Sequence, residues 1–254
     1  MAMNPHDASQ LPTKNFIVRS IDCDPSTHLR LSSLFEYLQE TALYSAESQG
    51  NGYRQMLKAG YALLISRIKI RISHMPLWGE SPSISTWLKG YEPEKVAWQD
   101  YVMRDATGNA IAEATSSWLC IDLKTGKSVP HFQNPFRFQE TPGLHAISET
   151  IDLLEPTGMP EHVLTKQVRY SDLDFNKHVN NCRYADWVID ALSLEEIKAR
   201  PIRSIQMNYL AQVPYDAKVA LMRFPASKHH VVVFGVNEAN PSLVHFQARI
   251  GFEG

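Results

Sequence analysis

The sequence predicts an α+β protein made of two similar units, each one helix wrapped by an antiparallel sheet. Three observations carry this. First, sliding the 254-residue chain against itself by 150 positions superimposes "VRSIDCDPSTHL", from Val18, on "VRYSDLDFNKHV", from Val168. Five of the first eleven columns are identical, among them Asp22/Asp172, Asp24/Asp174 and His28/His178. Second, a helical apolar pattern follows each copy. Third, each helix is followed by about four β-like runs, a count taken from pattern alone.

In chain order, Leu31, Leu34, Phe35, Leu38 and Ala42 recur at helical spacing, and Gly50 offers a stop. The strand-like runs after it are "ALLISRIKIRI", "SISTWLKGY", "KVAWQDYVMRD" and "AIAEATSSWLCID", with "DATGN" at 105–109 as a hairpin turn. From about 130 to 162 the pattern lapses, punctuated by Pro130, Pro135, Pro142, Pro156 and Pro160, and reads as a linker across the surface. In the second copy Ala185, Val188, Ile189 and Leu192 mark a helix. "IRSIQMNYLAQV", "KVALMRF", "HHVVVFGV" and "VHFQARIGF" follow as strands, with "NEANPS" at 237–242 as a turn. The division expected is a first unit over 1–139, a linker over 140–162 and a second unit over 163–254.

Composition excludes several classes. A net charge of −2 argues against a general nucleic-acid binder. Cys23, Cys120 and Cys182 form no CxxC pair and fit reduced thiols in a cytosolic protein. The polar start "MAMNPHDASQLPTKN" lacks a signal-peptide core, and apolar runs such as "YALLI" are too short to span a bilayer. No membrane insertion is expected.

The stretch that asks for chemistry is "YSDLDFNKHVNN", residues 170–181. Read as extended backbone, it points Asp174, Asn176 and His178 to one side, and a helix starting near Val179–Asn181 would aim free N–H groups at the same volume. A carboxylate can activate water or attack, an imidazole titrating near neutrality can serve as acid or base, and an amide can donate to a developing oxyanion. Taken singly, each has a plainer reading: Asp and Asn before a helix are usually caps or turn formers. Cys182 reads as a small packed residue, and His229 and His230 as surface or packing residues. His178 has no second histidine or cysteine at ligand spacing, and "DLDFN" lacks the glycine and closing glutamate of a calcium loop. Neither a metal nor an organic cofactor is expected.

"SDLDFNKHVNNCRYADWVID" resembles the signature of acyl-acyl-carrier-protein thioesterases, and "LQETALYSAESQG", "LISRIKIRI", "STWLKGY" and "SSWLCID" resemble that family in the first half. The resemblance covers roughly residues 14–254 and implies a double hotdog fold. It also implies hydrolysis of fatty acyl-acyl-carrier protein, with Asp174, Asn176 and His178 as the catalytic residues and the acyl-carrier protein as substrate partner. Plant members also use a glutamate followed by a cysteine; aligning "NYLAQVPYD" puts Gln212 and Val213 there, so a cysteine nucleophile and a base at 212 are not expected. The absence of a transit-peptide-like extension suggests a bacterial, cytoplasmic member, as a monomer or homodimer. Lys177, Arg183, Lys198, Arg200 and Arg203 are candidates for contact with the acidic carrier. Leu34, Leu38, Ile65, Ile68 and Trp87 are candidates for an acyl slot in the first unit. An acyl-CoA thioesterase and a non-catalytic acyl-binding protein are the alternatives. A hotdog hydratase or dehydratase fits the D-x-N-x-H segment less well. The first copy carries Pro25, Ser26 and Arg30–Leu31 in place of Phe175, Asn176 and Asn180–Asn181, so one active site per chain is expected.

Overall fold

A computed structural model describes residues 11–91, 96–156, 158–225 and 227–252. The chain divides into two units, Met1–Thr150 and Ile151–Gly254.

In the first unit β1 (Thr13–Asn15) precedes the helices α1 (Leu31–Ser48) and α2 (Tyr53–Lys58). The strands β2 (Tyr61–Ile72), β3 (Ser83–Tyr91), β4 (Val96–Arg104) and β5 (Ala110–Asp122) follow, with the two-residue β6 (Lys127–Ser128) beside β5. They lie in the order β1-β3-β4-β5-β2, every pair antiparallel. The buried stripe of α1 is the one its periodicity predicts: Leu31, Leu34, Phe35 and Leu38 are all buried. Gly50, at φ +73°, ends it in a left-handed conformation that a side chain would resist. The β4–β5 turn is "DATGN": the Asp105 carboxylate accepts the N–H groups of Thr107 and Asn109 and the Thr107 hydroxyl, bonds that hold its pKa down at about 2.

The second unit repeats this plan. Its strands are β7 (Glu161–Gln167), β8 (Ile202–Tyr209), β9 (Lys218–Arg223), β10 (His230–Asn237) and β11 (Val244–Phe252). Their order, β7-β9-β10-β11-β8, is that of the first unit element for element. The helix differs. α3 (Arg183–Asp190) has eight residues against eighteen in α1, and a separate α4 (Leu194–Ala199) follows. Ser193 causes the break. Its hydroxyl accepts the Glu196 N–H at 3.2 Å while its own N–H donates to the Glu196 carboxylate at 3.0 Å, a capping box that starts a new helix.

The proline-punctuated segment between β6 and β7 is fixed to the sheets. In the first unit Leu144 packs with Trp87 and Val102, its carbonyl accepting the Trp87 indole N–H at 3.0 Å, and Ala146 N–H donates to the buried Asp100 carboxylate at 2.8 Å. Lys89 reaches the Ile147 carbonyl at 2.8 Å and Asp100 at 3.3 Å, which compensates a carboxylate that burial pushes upward in pKa. Trp87 is therefore committed beneath this segment rather than to a slot between helix and sheet. In the second unit Gln247 makes paired bonds to the Leu154 backbone, and Gln206 and Asn208 donate to the Asp152 carbonyl. Among the described residues no helix is long and apolar enough to cross a membrane.

Candidate functional site

Residues 173–179 form a tight turn, not the extended run that alternation suggested. Leu173 and Val179 bridge antiparallel; inside them Asp174 N–H donates to the His178 carbonyl at 3.0 Å and Lys177 N–H to the Asp174 carbonyl at 3.0 Å. Asp174 Oδ1 accepts the Asn176 N–H at 2.8 Å, an Asx turn, and Lys177 takes φ +65° at its corner. Proximity of the three side chains thus comes from chain reversal. The Asn176 amide points back at Asp174 Oδ2 over a long 3.5 Å. Asp174 and His178 are half-buried, while Asn176, Lys177 and Phe175 at the tip are exposed.

The same turn occurs 150 residues earlier with the same backbone–backbone bonds, and there Asp24 Oδ1 accepts a second N–H, from His28 at 3.1 Å. Asp24 N–H donates to His28 O at 2.8 Å, Thr27 N–H to Asp24 O at 3.0 Å, Ser26 N–H to Asp24 Oδ1 at 2.7 Å, and Thr27 has φ +66°. Its outer edge differs. His28 bridges Leu77, and Trp78 N–H donates to the Thr27 carbonyl at 2.9 Å. Among the described residues nothing donates to the corresponding Lys177 carbonyl, so the second turn keeps an open edge.

The surroundings of the second turn come from two elements. The loop after β8 lies against it, and the Val213 carbonyl accepts the Val179 N–H at 3.3 Å. The first turn of α3 supplies Tyr184, buried among Trp187, Tyr209 and Phe246 at ring distances of 5.1, 5.7 and 4.9 Å. Burial pushes the Tyr184 phenol up, a hydrogen bond with the Val213 backbone lowers it, and the Asp174 charge adds a smaller upward push. The expected row of free N–H groups at Val179–Asn181 is mostly taken. α3 begins only at Arg183, because Asn180 forms its own turn: its Oδ1 accepts Cys182 N–H at 2.9 Å and its carbonyl accepts Arg183 N–H at 2.9 Å. Asn180 N–H itself goes to the Asp172 carbonyl at 2.8 Å. Among the described residues, that leaves the Asn181 N–H as the backbone donor of this stretch without an acceptor.

Other expected residues scatter. Gln212 is exposed and Val213 wholly buried, so position 213 acts through its backbone. Arg183 sits 3.5 Å from Asp186. Arg200 bonds Glu196 and lies 4.1 Å over the Phe252 ring; Lys177 and Lys198 are exposed. Leu34, Leu38 and Ile68 are buried and Ile65 partly so. Cys23, Cys120 and Cys182 are all buried. His230 makes a surface bond with Ser227 at 3.0 Å. Among the described residues no three His, Cys, Asp or Glu side chains gather as metal ligands would. Tyr184 was not singled out by sequence; its signal was a hydroxyl-bearing aromatic on the buried face of a helix, which needs a polar partner.

The model of the acyl-ACP thioesterase N-terminal domain matches residues 10–131 and that of the C-terminal domain residues 160–252, together most of the chain. The palmitoyl-acyl carrier protein thioesterase of Gossypium hirsutum is 24% identical over 218 residues, covering 81% of this chain and 52% of that protein. The chain spans about half the length of several such curated relatives. Among solved structures, an acyl-ACP thioesterase from Bacteroides thetaiotaomicron superimposes with a TM-score of 0.87 at 24% identity, covering 99% of this chain and all of that one. The 12:0-ACP thioesterase of Umbellularia californica does so at 0.76 and 19% identity, covering 95% and 96%. The fold is the double hotdog, and with both domain models matched in order the chain belongs to the acyl-ACP thioesterase family.

Proposed function

We propose that this chain hydrolyses the thioester of fatty acyl-acyl-carrier protein, releasing the free fatty acid and the carrier thiol and so ending chain elongation. Asp174, Asn176 and His178 are its catalytic residues. Asp174 is the base that draws a proton from water, or the nucleophile that attacks the carbonyl carbon. His178 returns a proton to the departing thiolate, and the Asn176 amide, with the Asn181 N–H, stabilises the oxyanion. The observation that carries this reading is the turn itself. Its backbone bonds recur in the first copy, yet the amide at 176 and the asparagines at 180 and 181 occur only in the second, where the edge is open. In this reading the second unit, 163–254, carries the chemistry and the first, 1–139, shapes the acyl pocket, with 140–162 joining them. The enzyme works in the cytoplasm, as a monomer or homodimer, without cofactor.

The test is thiol release from acyl-carrier substrates of graded chain length beside the matching acyl-CoAs. Faster turnover of the carrier-bound series is expected. Faster turnover of the CoA series would make the protein an acyl-CoA thioesterase. A folded protein that binds acyl chains but releases no thiol would make it a binding module, the outcome that the uncharged Gln212 favours.

A further inference from the structure

His245 stands at the start of β11, 2% exposed, and no step proposed above uses it. Its backbone carbonyl accepts the N–H groups of Leu210 and Ala211 at 2.9 and 3.1 Å. Its ring Nδ1 lies 3.3 Å from the Ala211 carbonyl. A carbonyl can only accept, so Nδ1 carries the proton. Nε2 is sealed from solvent and, among the described residues, has no partner. An unsatisfied nitrogen in the interior is destabilising, and an apolar residue of this size would avoid it. The imidazole must therefore do something that leucine cannot. Burial also pushes its pKa down, so the ring stays neutral and donates one hydrogen bond.

That hydrogen bond lands on the segment that meets the candidate site. Two residues beyond Ala211, the Val213 carbonyl takes the N–H of Val179, the neighbour of His178. The Val213 backbone also hydrogen-bonds the Tyr184 hydroxyl. Residues 211–213 are thus fastened at one end by His245 and touch the turn at the other. In the first unit the corresponding bond runs from Leu29 N–H to the Pro76 carbonyl at 2.8 Å, where proline fixes the backbone itself. Val213 is not itself a proline: Pro214 after it favours an extended backbone, and the His245 bond adds the hold on the residues before it.

We propose that His245 is a positioning residue. Its Nδ1–H fixes the Ala211–Val213 backbone, and through the Val213–Val179 bond it sets His178 against Asp174. This rests on the reading of Asp174, Asn176 and His178 as the catalytic group. Asparagine can place an amide N–H near the Nδ1 position, whereas leucine fills the volume without a donor.

The experiment compares wild type, His245→Asn and His245→Leu in full-length protein. It measures kcat and KM on the acyl-carrier substrate that wild type turns over fastest, and amide exchange in peptides covering 170–182 and 209–215. The leucine variant should lose about tenfold in kcat with KM within about twofold, the size of effect expected from misplacing a catalytic group. Its two peptides should exchange about tenfold faster. Asparagine should restore both readouts to within about threefold of wild type. Equal loss in both variants, or unchanged exchange in the leucine variant, would overturn the proposal. If the leucine variant fails to fold, an asparagine variant that exchanges or turns over tenfold worse than wild type does the same. Wild-type protein without thioesterase activity would remove the catalytic reading, whereas exchange in the variants reports the clamp independently of turnover.

Discussion

The paired turns allow the structural and chemical work of one carboxylate to be separated. Asp174 accepts one backbone N–H at 2.8 Å and Asp24 accepts two, at 2.7 and 3.1 Å. A bond of this kind contributes about 0.5–1.5 kcal/mol, and 1 kcal/mol moves the melting temperature of a chain this size by about 2–4 °C. Asparagine keeps the accepting oxygen and discards the charge. Asp174→Asn and Asp24→Asn should therefore each shift the melting temperature by no more than about 3 °C. Turnover should part them. Asp174→Asn should lower kcat by about 10²-fold or more, roughly 2.7 kcal/mol of transition-state stabilisation, while Asp24→Asn leaves it within about twofold. Melting by circular dichroism and thiol release on one acyl-carrier substrate suffice. Near-wild-type turnover in Asp174→Asn would remove that carboxylate from the mechanism. A deep loss in Asp24→Asn, in folded protein, would show that the first turn is also a catalytic centre.

Asn176→Ala should lower kcat by about tenfold or more with little change in KM, because its amide is assigned to the oxyanion and not to binding; a KM effect alone would reassign it. The Glu196 carboxylate bonds Arg223 at 2.5 and 2.9 Å, which holds its pKa down at about 2, below its unfolded value near 4.5. A depressed carboxylate stabilises fully above the unfolded value and loses that as pH falls through the folded one. Glu196→Gln should thus cost about 1–3 kcal/mol at pH 7, with the gap to wild type in urea melts narrowing from pH 4.5 and closing near pH 2; a gap that does not change with pH refutes it. A Cβ on Gly235 would meet the Phe246 ring at 2.0 Å, so Gly235→Ala should destabilise by about 1–3 kcal/mol, read by urea melting; an unchanged midpoint would refute that clash.

Much of the fold was legible because it is written twice. The 150-residue offset, the apolar stripe of α1 and the strand runs all rest on local periodicity, which burial then fixes. The misses are of two kinds. Some local signals were outweighed. "SLEE" at 193–196 is a capping box that starts a second helix, and the apolar pattern ending at Leu192 gave no sign of it. The prolines around Leu144, Ile147, Ile151 and Leu154 hid a buried apolar spacing. Others are non-local. Nothing near Val213 in sequence announces a bond to Val179, 34 residues away, nor does His245 announce Ala211, another 34 apart.

The turn shows why its residues were legible and its geometry was not. Polar residues at 174, 176 and 178 satisfy both a strand of period two and a chain reversal capped by its own aspartate. No glycine marks the corner, since Lys177 and Thr27 both hold a left-handed φ that surrounding hydrogen bonds enforce. With backbone bonds matched through the turn, the backbone alone cannot explain why one copy would be a catalyst and the other a scaffold. The differences that remain include Asn176 for Ser26, Phe175 for Pro25, the asparagine pair for Arg30–Leu31, the loss of the second N–H at the aspartate, and the open edge for the strip at Leu77–Trp78. Arg30 itself turns inward, its guanidinium donating to the Cys23 carbonyl at 2.6 Å, so the first copy holds a structural cation where the second holds amides. A functional split between the units would therefore reside in a few side chains and one uncovered carbonyl.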